Sequence, residues 1–150
     1  METKNRKLVD QLQEILEKNR DAEKGYKKAA ENAKSTNLKA FFTRKSEERR
    51  SFNGALKNEL IATYDQINDN GSFQGTIHRA WMDVKNLFSA DSDESMLEEC
   101  IRGDKAAIEE YDEVLKDEAL PLRVSTIIRD QMMKIRTDLN KVKSLEDLKD

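Results

Sequence analysis

The chain has 150 residues, enough for one domain with a single core, and its 38% charged and 37% hydrophobic residues with 5 glycines and 1 proline favour long charged helices over sheets. The 27 basic and 30 acidic residues leave a net charge of -3, so no global basic field indicates a nucleic-acid partner. Nowhere do about 18 apolar residues run together, and the N-terminus lacks the apolar segment of a secretion signal. We therefore expect a cytoplasmic protein with no nucleic-acid or membrane partner.

Apolar residues at steps of three and four predict two long helices in the first half of the chain, over about residues 5–34 and 37–67. The first apolar stripe includes Leu8, Leu12 and Tyr26, and Ser35 offers an N-cap for the second helix. Because the link between the two helices is so short, we expect them to be antiparallel neighbours.

The stretch GTIHRAWMDVKNLF holds the single histidine and the single tryptophan of the chain. Ile77, Trp81 and Val84 share one face, which predicts a short helix over about residues 72–88 with one buried side. Trp81 is the predicted anchor of this helix, since a large aromatic contributes mainly by the area it buries. His78 lies off the apolar stripe, and we interpret it as a boundary residue rather than a catalytic base or a metal ligand.

Two further helices are predicted over about residues 92–116 and 121–148. Asp91 and Glu94 have the spacing of an N-terminal cap, and Pro121 suits a first helical turn. Two helical hairpins joined by a crossover helix predict an all-α, ferritin-like four-helix bundle in which the second and third helices run parallel. We assign the whole of 1–150 to this one domain.

Polar residues interrupt the apolar stripes near the middle of each long helix. Ferritin-like di-metal centres use glutamates and Glu-x-x-His pairs, and no Glu-x-x-His occurs in this sequence. We therefore favour a structural network over a metal site and predict no catalytic residue and no cofactor. The predicted network contains Asn19, Lys45, Arg49 and Gln131. The alternative, a degenerate carboxylate-rich centre or oxidase holding Mn or Fe, would use Glu23, Glu48, Asp104 and Asp138 as ligands.

Three segments, DAEKGYKKAAENAKSTNLKAFF, GTIHRAWMDVKNLF and LEECIRGDKAAIEEY, carry a resemblance to a known family. In this order and spacing the chain resembles a small bacterial ferritin-like family of unknown function, whose members are called four-helix-bundle proteins. The resemblance implies a ferritin-like bundle in a bacterial cytoplasm and no established activity. Members of that family often carry a histidine near the position of Leu139, and its replacement here makes metal chemistry less expected.

The function that we expect is non-catalytic and depends on self-association or on a protein partner, with a role in stress responses suggested by relatives of the fold. A homodimer is one form that the sequence leaves open. A second hypothesis is a small apolar ligand bound between the helices, which would need a cavity among the aromatic residues Tyr26, Phe41, Phe42, Phe52 and Tyr111. The single Cys100 lies on an apolar stripe, and we interpret it as a small buried hydrophobic residue.

Overall fold

The computed structural model describes residues 2–64 and 92–148, with side chains from residue 6 onward. Within these ranges the regular structure is entirely helical, which confirms the all-α prediction. The helices are α1 (Glu2–Asn32), α2 (Thr36–Thr63), α3 (Asp93–Leu115), α4 (Leu122–Lys141) and a short 3-10 helix (Leu145–Leu148). The crossover helix predicted over 72–88, with His78 and Trp81, lies outside the described residues.

The four helices pack as a bundle in which each contacts two neighbours. α1 contacts α2 and α3, and α4 contacts the same two helices. α1 and α3 are antiparallel, because Asn19 contacts Tyr111 while Tyr26, further along α1, contacts Asp104, which comes earlier in α3. Since α1 is also antiparallel to α2, α2 and α3 run parallel across the bundle diagonal, as the predicted topology requires.

Side-chain hydrogen bonds from Ser35 and Asp93 hold the turn between α1 and α2. The hydroxyl of Ser35 accepts a hydrogen bond from the backbone N–H of Leu38, which caps α2. The carboxylate of Asp93, in the first turn of α3, accepts the backbone N–H groups of Lys34 and Ser35 at 2.8 and 2.9 Å. Asp93 therefore joins the α1–α2 turn to the start of α3.

The cap of α3 differs from the predicted one. Ser92, not Asp91, is the N-cap: its hydroxyl accepts from the backbone N–H of Ser95, and the hydroxyl of Ser95 accepts from the N–H of Ser92. Ser92 and Ser95 therefore form the reciprocal capping pair that was expected of Asp91 and Glu94, shifted by one residue along the chain. The pair provides partners for backbone N–H groups that have none within the helix.

The last helix is shorter than the predicted span to residue 148. α4 ends at Lys141 because Val142 has an extended backbone, with φ of -122° and ψ of 100°. The apolar spacing continues through Val142, Leu145 and Leu148, and all three pack against the core although the helix has ended. α2 likewise ends at Thr63 rather than near residue 67.

The interior is divided into two apolar clusters. One lies toward the start of α1 and the other around the α1–α2 turn. The buried members of the first are Leu8, Val9, Leu12, Ile15, Leu16, Phe52, Leu56, Leu60, Tyr111, Val114, Val124, Ile128 and Ile135. Those of the second are Tyr26, Ala29, Ala33, Leu38, Phe41, Phe42, Met96, Leu97 and Cys100. Among the described helices, none is both long and apolar enough to cross a bilayer.

Candidate functional site

A layer of buried polar side chains separates the two apolar clusters, and every helix of the bundle contributes to it. We call this set the polar layer. Its members are Asn19 and Tyr26 from α1, Lys45 and Arg49 from α2, Asp104 and Tyr111 from α3, and Gln131 and Asp138 from α4, and all eight are buried. Because buried polar groups are costly without partners, the pairing within the layer decides what it can do.

Lys45 occupies the centre of the charged part of the layer. Its side chain is 0% exposed, and its Nζ lies 2.5 Å from Asp104 Oδ2 and 3.1 Å from Asp138 Oδ2. Burial is the largest single effect and lowers the pKa of Lys45, but Asp104 and the other acidic groups around the ammonium, Asp138 among them, together outweigh it and leave the pKa raised. Lys45 therefore remains a cation between carboxylates from two different helices.

Arg49 lies one helical turn beyond Lys45 on the same face of α2. One Nη donates to Asp104 Oδ1 at 2.7 Å, and the other donates to Asn19 Oδ1 at 2.9 Å. Burial opposes the charge of Arg49, but Tyr26 and Asp104 favour it, and the pKa of Arg49 is raised above its ordinary value. Both cations of the layer are thus permanently charged near neutral pH.

Asp104 accepts hydrogen bonds from three side chains. Besides Lys45 and Arg49, the Tyr26 hydroxyl donates to its Oδ1 at 2.7 Å. Burial raises the pKa of Asp104, and the charges of Lys45 and Arg49 more than reverse that effect, so the net pKa is lowered. The carboxylate is therefore ionised and its oxygens are occupied.

A chain of uncharged groups continues the layer toward α4. Asn19 donates to the Tyr111 hydroxyl at 3.2 Å, which donates to Gln131 Oε1 at 2.8 Å. Gln131 Nε2 in turn donates to the backbone carbonyl of Phe52 at 3.0 Å. This series of hydrogen bonds links all four helices, and each bond requires its two side chains to be correctly placed.

Two further charges border the layer. Arg44, which is half-exposed, donates to Asp138 Oδ1 at 2.8 Å and lies 3.5 Å from Glu48. Glu48 lies 3.9 Å from Lys45 Nζ. Burial raises the pKa of Glu48, and the nearby cations Lys45 and Arg44 only partly offset the effect.

Three groups in this region keep their protons at neutral pH. Burial, followed by the charge of Asp104, raises the pKa of Cys100 to about 12 and that of Tyr26 well above its ordinary value. Burial also raises the pKa of Tyr111. A reactive thiol or a tyrosinate base needs the opposite shift, so these groups are suited to donating hydrogen bonds rather than to nucleophilic chemistry.

The structure brings the four residues of the predicted network into this layer: Asn19 and Arg49 contact each other directly, Arg49 and Lys45 share Asp104, and Gln131 joins through Tyr111. Of the four alternative metal ligands, Asp104 and Asp138 both contact Lys45 Nζ. Glu48 lies at the border, and Glu23 takes part through its backbone carbonyl, which accepts a hydrogen bond from Ser46. Within residues 2–64 and 92–148, no group of three or more histidine, cysteine, aspartate or glutamate side chains is placed to hold a metal ion.

The network predicted from the sequence did not include the hydroxyls of Tyr26 and Tyr111, which were considered only as aromatic residues of an apolar stripe or of a ligand cavity. A signal was present in the spacing. Asn19 and Tyr26, Asp104 and Tyr111, and Gln131 and Asp138 are each seven residues apart, which is two helical turns and places each pair on one face. Such a repeat on three helices indicates one continuous layer rather than isolated polar residues.

Residues 7–117 match the family described as "Domain of unknown function (DUF2383)". The chain belongs to this family. No curated protein and no solved structure matches it.

The matched region contains α1 from residue 7 onward together with α2 and α3, and it ends before α4. α4 nevertheless supplies Gln131 and Asp138 to the polar layer. Six of the eight layer residues therefore lie in the matched DUF2383 region, and the other two come from the segment that follows it.

Proposed function

We propose that this protein is a non-catalytic, ferritin-like four-helix bundle in which Lys45 takes the place of a metal ion, and that it works by association with itself or with a protein partner. In metal-bearing bundles of this class, carboxylates from facing helices converge on cations. Here Asp104 from α3 and Asp138 from α4 converge on the Lys45 ammonium at 2.5 and 3.1 Å. This convergence is the observation that supports the proposal.

The electrostatics of the polar layer disfavour a metal ion beside these carboxylates. A divalent cation would meet the ammonium of Lys45, whose raised pKa keeps it charged, and the guanidinium of Arg49. Both cations are buried, so solvent screens the repulsion only weakly. We therefore propose that the protein holds no resident metal or other cofactor.

Self-association is supported by two exposed apolar side chains on α4. Leu122 is 79% exposed and Met133 is 55% exposed. They are eleven residues apart, close to three full turns, so they lie on the same side of the helix. We propose a homodimer that pairs this side of α4 with a second copy.

The proposed location is the bacterial cytoplasm that the sequence resemblance implies. The single cysteine of the chain can form no internal disulfide, which fits a reducing compartment.

The test combines elemental analysis of the natively purified protein with its mass in solution by light scattering. We expect no stoichiometric metal and a dimer mass that falls to the monomer mass in the double variant Leu122→Lys/Met133→Lys. The matched control is Ala40→Lys/Thr43→Lys, which adds the same charge to exposed positions of α2 and should leave the mass unchanged. One or two bound metal ions per chain would overturn the assignment of Lys45. A wild-type monomer at high concentration would overturn self-association.

A further inference from the structure

The outer face of the α3–α4 hairpin is exposed, and its two helices carry charges of opposite sign. α3 lies between α1 and α4, and α4 lies between α3 and α2. The contact of Glu110 with Lys18 marks the side of α3 that faces α1, and the contact of Asp138 with Lys45 marks the side of α4 that faces α2. The residues of the outer face lie at least about 100° around their helices from these two sides.

The α4 part of this face is basic. Arg129 and Arg136 are exposed there, two helical turns apart, and neither forms an ion pair within the described part of the chain. Leu122 and Met133, the exposed apolar residues of the proposed dimer surface, lie on the same side, within about 60° of arc. The surface that we assign to self-association is therefore apolar and positively charged.

The α3 part of the face has an acidic excess. α3 contains nine acidic and two basic residues, whereas α4 contains two acidic and five basic ones. The exposed charges on the outer face of α3 and its C-cap are Glu94, Glu98, Lys105, Glu109, Asp112 and Lys116. Lys116 is already paired with Asp112 at 3.7 Å and with Glu113 at 3.8 Å. The outer faces of α3 and α4 are thus complementary in charge.

Pairing α4 with α4 of a second copy would bring the arginines of both copies onto facing stripes. Asp130, the exposed acidic residue of α4, lies about 100° around the helix from Arg129 and is paired with Lys134 at 3.1 Å. It therefore does not balance the facing arginines, and like charges across an interface are costly. The acidic outer face of α3 offers this side of α4 a better partner.

We propose that the dimer forms from two α3–α4 hairpins packed face to face, about a twofold axis parallel to the helices, so that α3 of each copy lies on α4 of the other. This arrangement rests on the proposed self-association and specifies its partner surface. The same contact occurs twice, as a twofold interface requires. Rotation about such an axis also leaves every residue at its own height along the bundle.

These heights select the charges that meet. The carboxylates of Asp104 and Asp138 contact the same ammonium group, so the two residues lie at about the same height on α3 and α4, which are antiparallel because their link is short. At about 1.5 Å per residue, Glu109 lies between Arg129 and Arg136, about 6 Å from the first and about 4.5 Å from the second along the axis. The Glu109 carboxylate of one copy is then within reach of both arginines of the other.

The test reverses the charge on each side of this contact. Arg129→Glu/Arg136→Glu makes the α4 stripe acidic, and Glu109→Arg places a cation opposite it. Each variant alone meets like charges at both contacts, so we expect its dimer dissociation constant, measured by sedimentation velocity over a concentration series, to rise at least about tenfold. Mixed in equal amounts, the two variants form a heterodimer in which both contacts are attractive. We expect the mixture to dimerise with nearly wild-type affinity.

The matched control reverses two exposed charges of α2, Glu47→Arg and Arg50→Glu, which should dimerise like wild type both alone and mixed. A wild-type monomer would overturn self-association itself. A wild-type dimer that persists in both α3 and α4 variants, or folded variants that stay monomeric when mixed, would overturn only the hairpin arrangement.

A second measurement needs no variant. Because salt screens exposed ion pairs, the wild-type dimer should weaken at least about threefold between about 0.05 and about 0.5 M NaCl. A dimer that salt leaves unchanged or strengthens would contradict a contact made by Glu109 and the arginines.

Discussion

Lys45 Nζ lies 2.5 Å from Asp104 Oδ2, and the two side chains are 0% and 2% exposed. The pair joins α2 to α3 across the diagonal of the bundle, between helices that are not each other's main packing partners. A buried ion pair of this kind adds little net stability over apolar residues of the same size, but it penalises any arrangement that leaves one charge alone. We infer that the polar layer selects which faces of the four helices meet.

Removing the Lys45 charge should be strongly destabilising. Lys45→Met leaves the carboxylates of Asp104 and Asp138 buried without their shared cation, and breaking such a pair costs about 3–5 kcal/mol. Denaturant titration at neutral pH measures the loss. Lys105→Met, an exposed position on α3, is the matched control and should stay within about 0.5 kcal/mol of wild type. A Lys45→Met protein as stable as the control would show that the layer tolerates an apolar residue at its centre.

Added metal ions should not stabilise the folded protein. A ligand that binds only the native state raises the melting temperature by mass action, so the melting temperature reports any occupied site. We expect no shift for wild type with millimolar Mn(II), Zn(II) or anaerobic Fe(II), because Lys45 and Arg49 already supply the positive charge. A clear rise that disappears on chelation would instead assign Glu23, Glu48, Asp104 and Asp138 as ligands.

Asp104 should account for part of the loss of stability in acid. Its folded-state pKa is lowered from the ordinary value of 3.8, so its contribution is present above that value and is lost as the pH falls toward the folded-state pKa. We expect wild type to lose more unfolding free energy than Asp104→Asn between about pH 5 and pH 3. Asp112→Asn, an exposed position on the same helix, should keep the wild-type acid slope. Parallel pH profiles for wild type and Asp104→Asn would show that the Asp104 proton is not linked to folding.

Much of this architecture could be predicted because amphipathic stripes determine helix type and facing. The stripes of α1 and α2 place Leu12 and Phe52 in the core, and the same stripes place Lys45 and Arg49 on inward faces. The short turn at Ser35 also determines the hairpin direction. The position of a residue along its helix, and whether its side chain faces the core, follow from sequence spacing alone.

The pairing inside the polar layer could not be predicted in the same way. Which carboxylate Lys45 contacts depends on side-chain rotamers and on the lateral order of the helices, and neither is contained in a periodic pattern. The end of α4 was missed for a related reason, because Leu145 keeps the apolar spacing of a helix while the backbone turns at Val142. Apolar residues continue to pack against the core after the helix has ended, so a helix predicted from apolar spacing alone comes out too long.

Two helical glycines offer a gain in stability that tests the packing of α2 and α3 directly. Gly54 and Gly103 lie inside helices, and an added Cβ at either position meets no atom within 4 Å. Because glycine in a helix interior costs about 0.5–1 kcal/mol relative to alanine, Gly54→Ala and Gly103→Ala should each stabilise the protein by that amount. The positions lie on different helices and share no contact, so the double variant should show the sum of the two effects. Thermal or denaturant unfolding checks both values. A loss of stability confined to Gly103→Ala would mean that α1 and α3 approach each other more closely at Gly103 than this geometry allows.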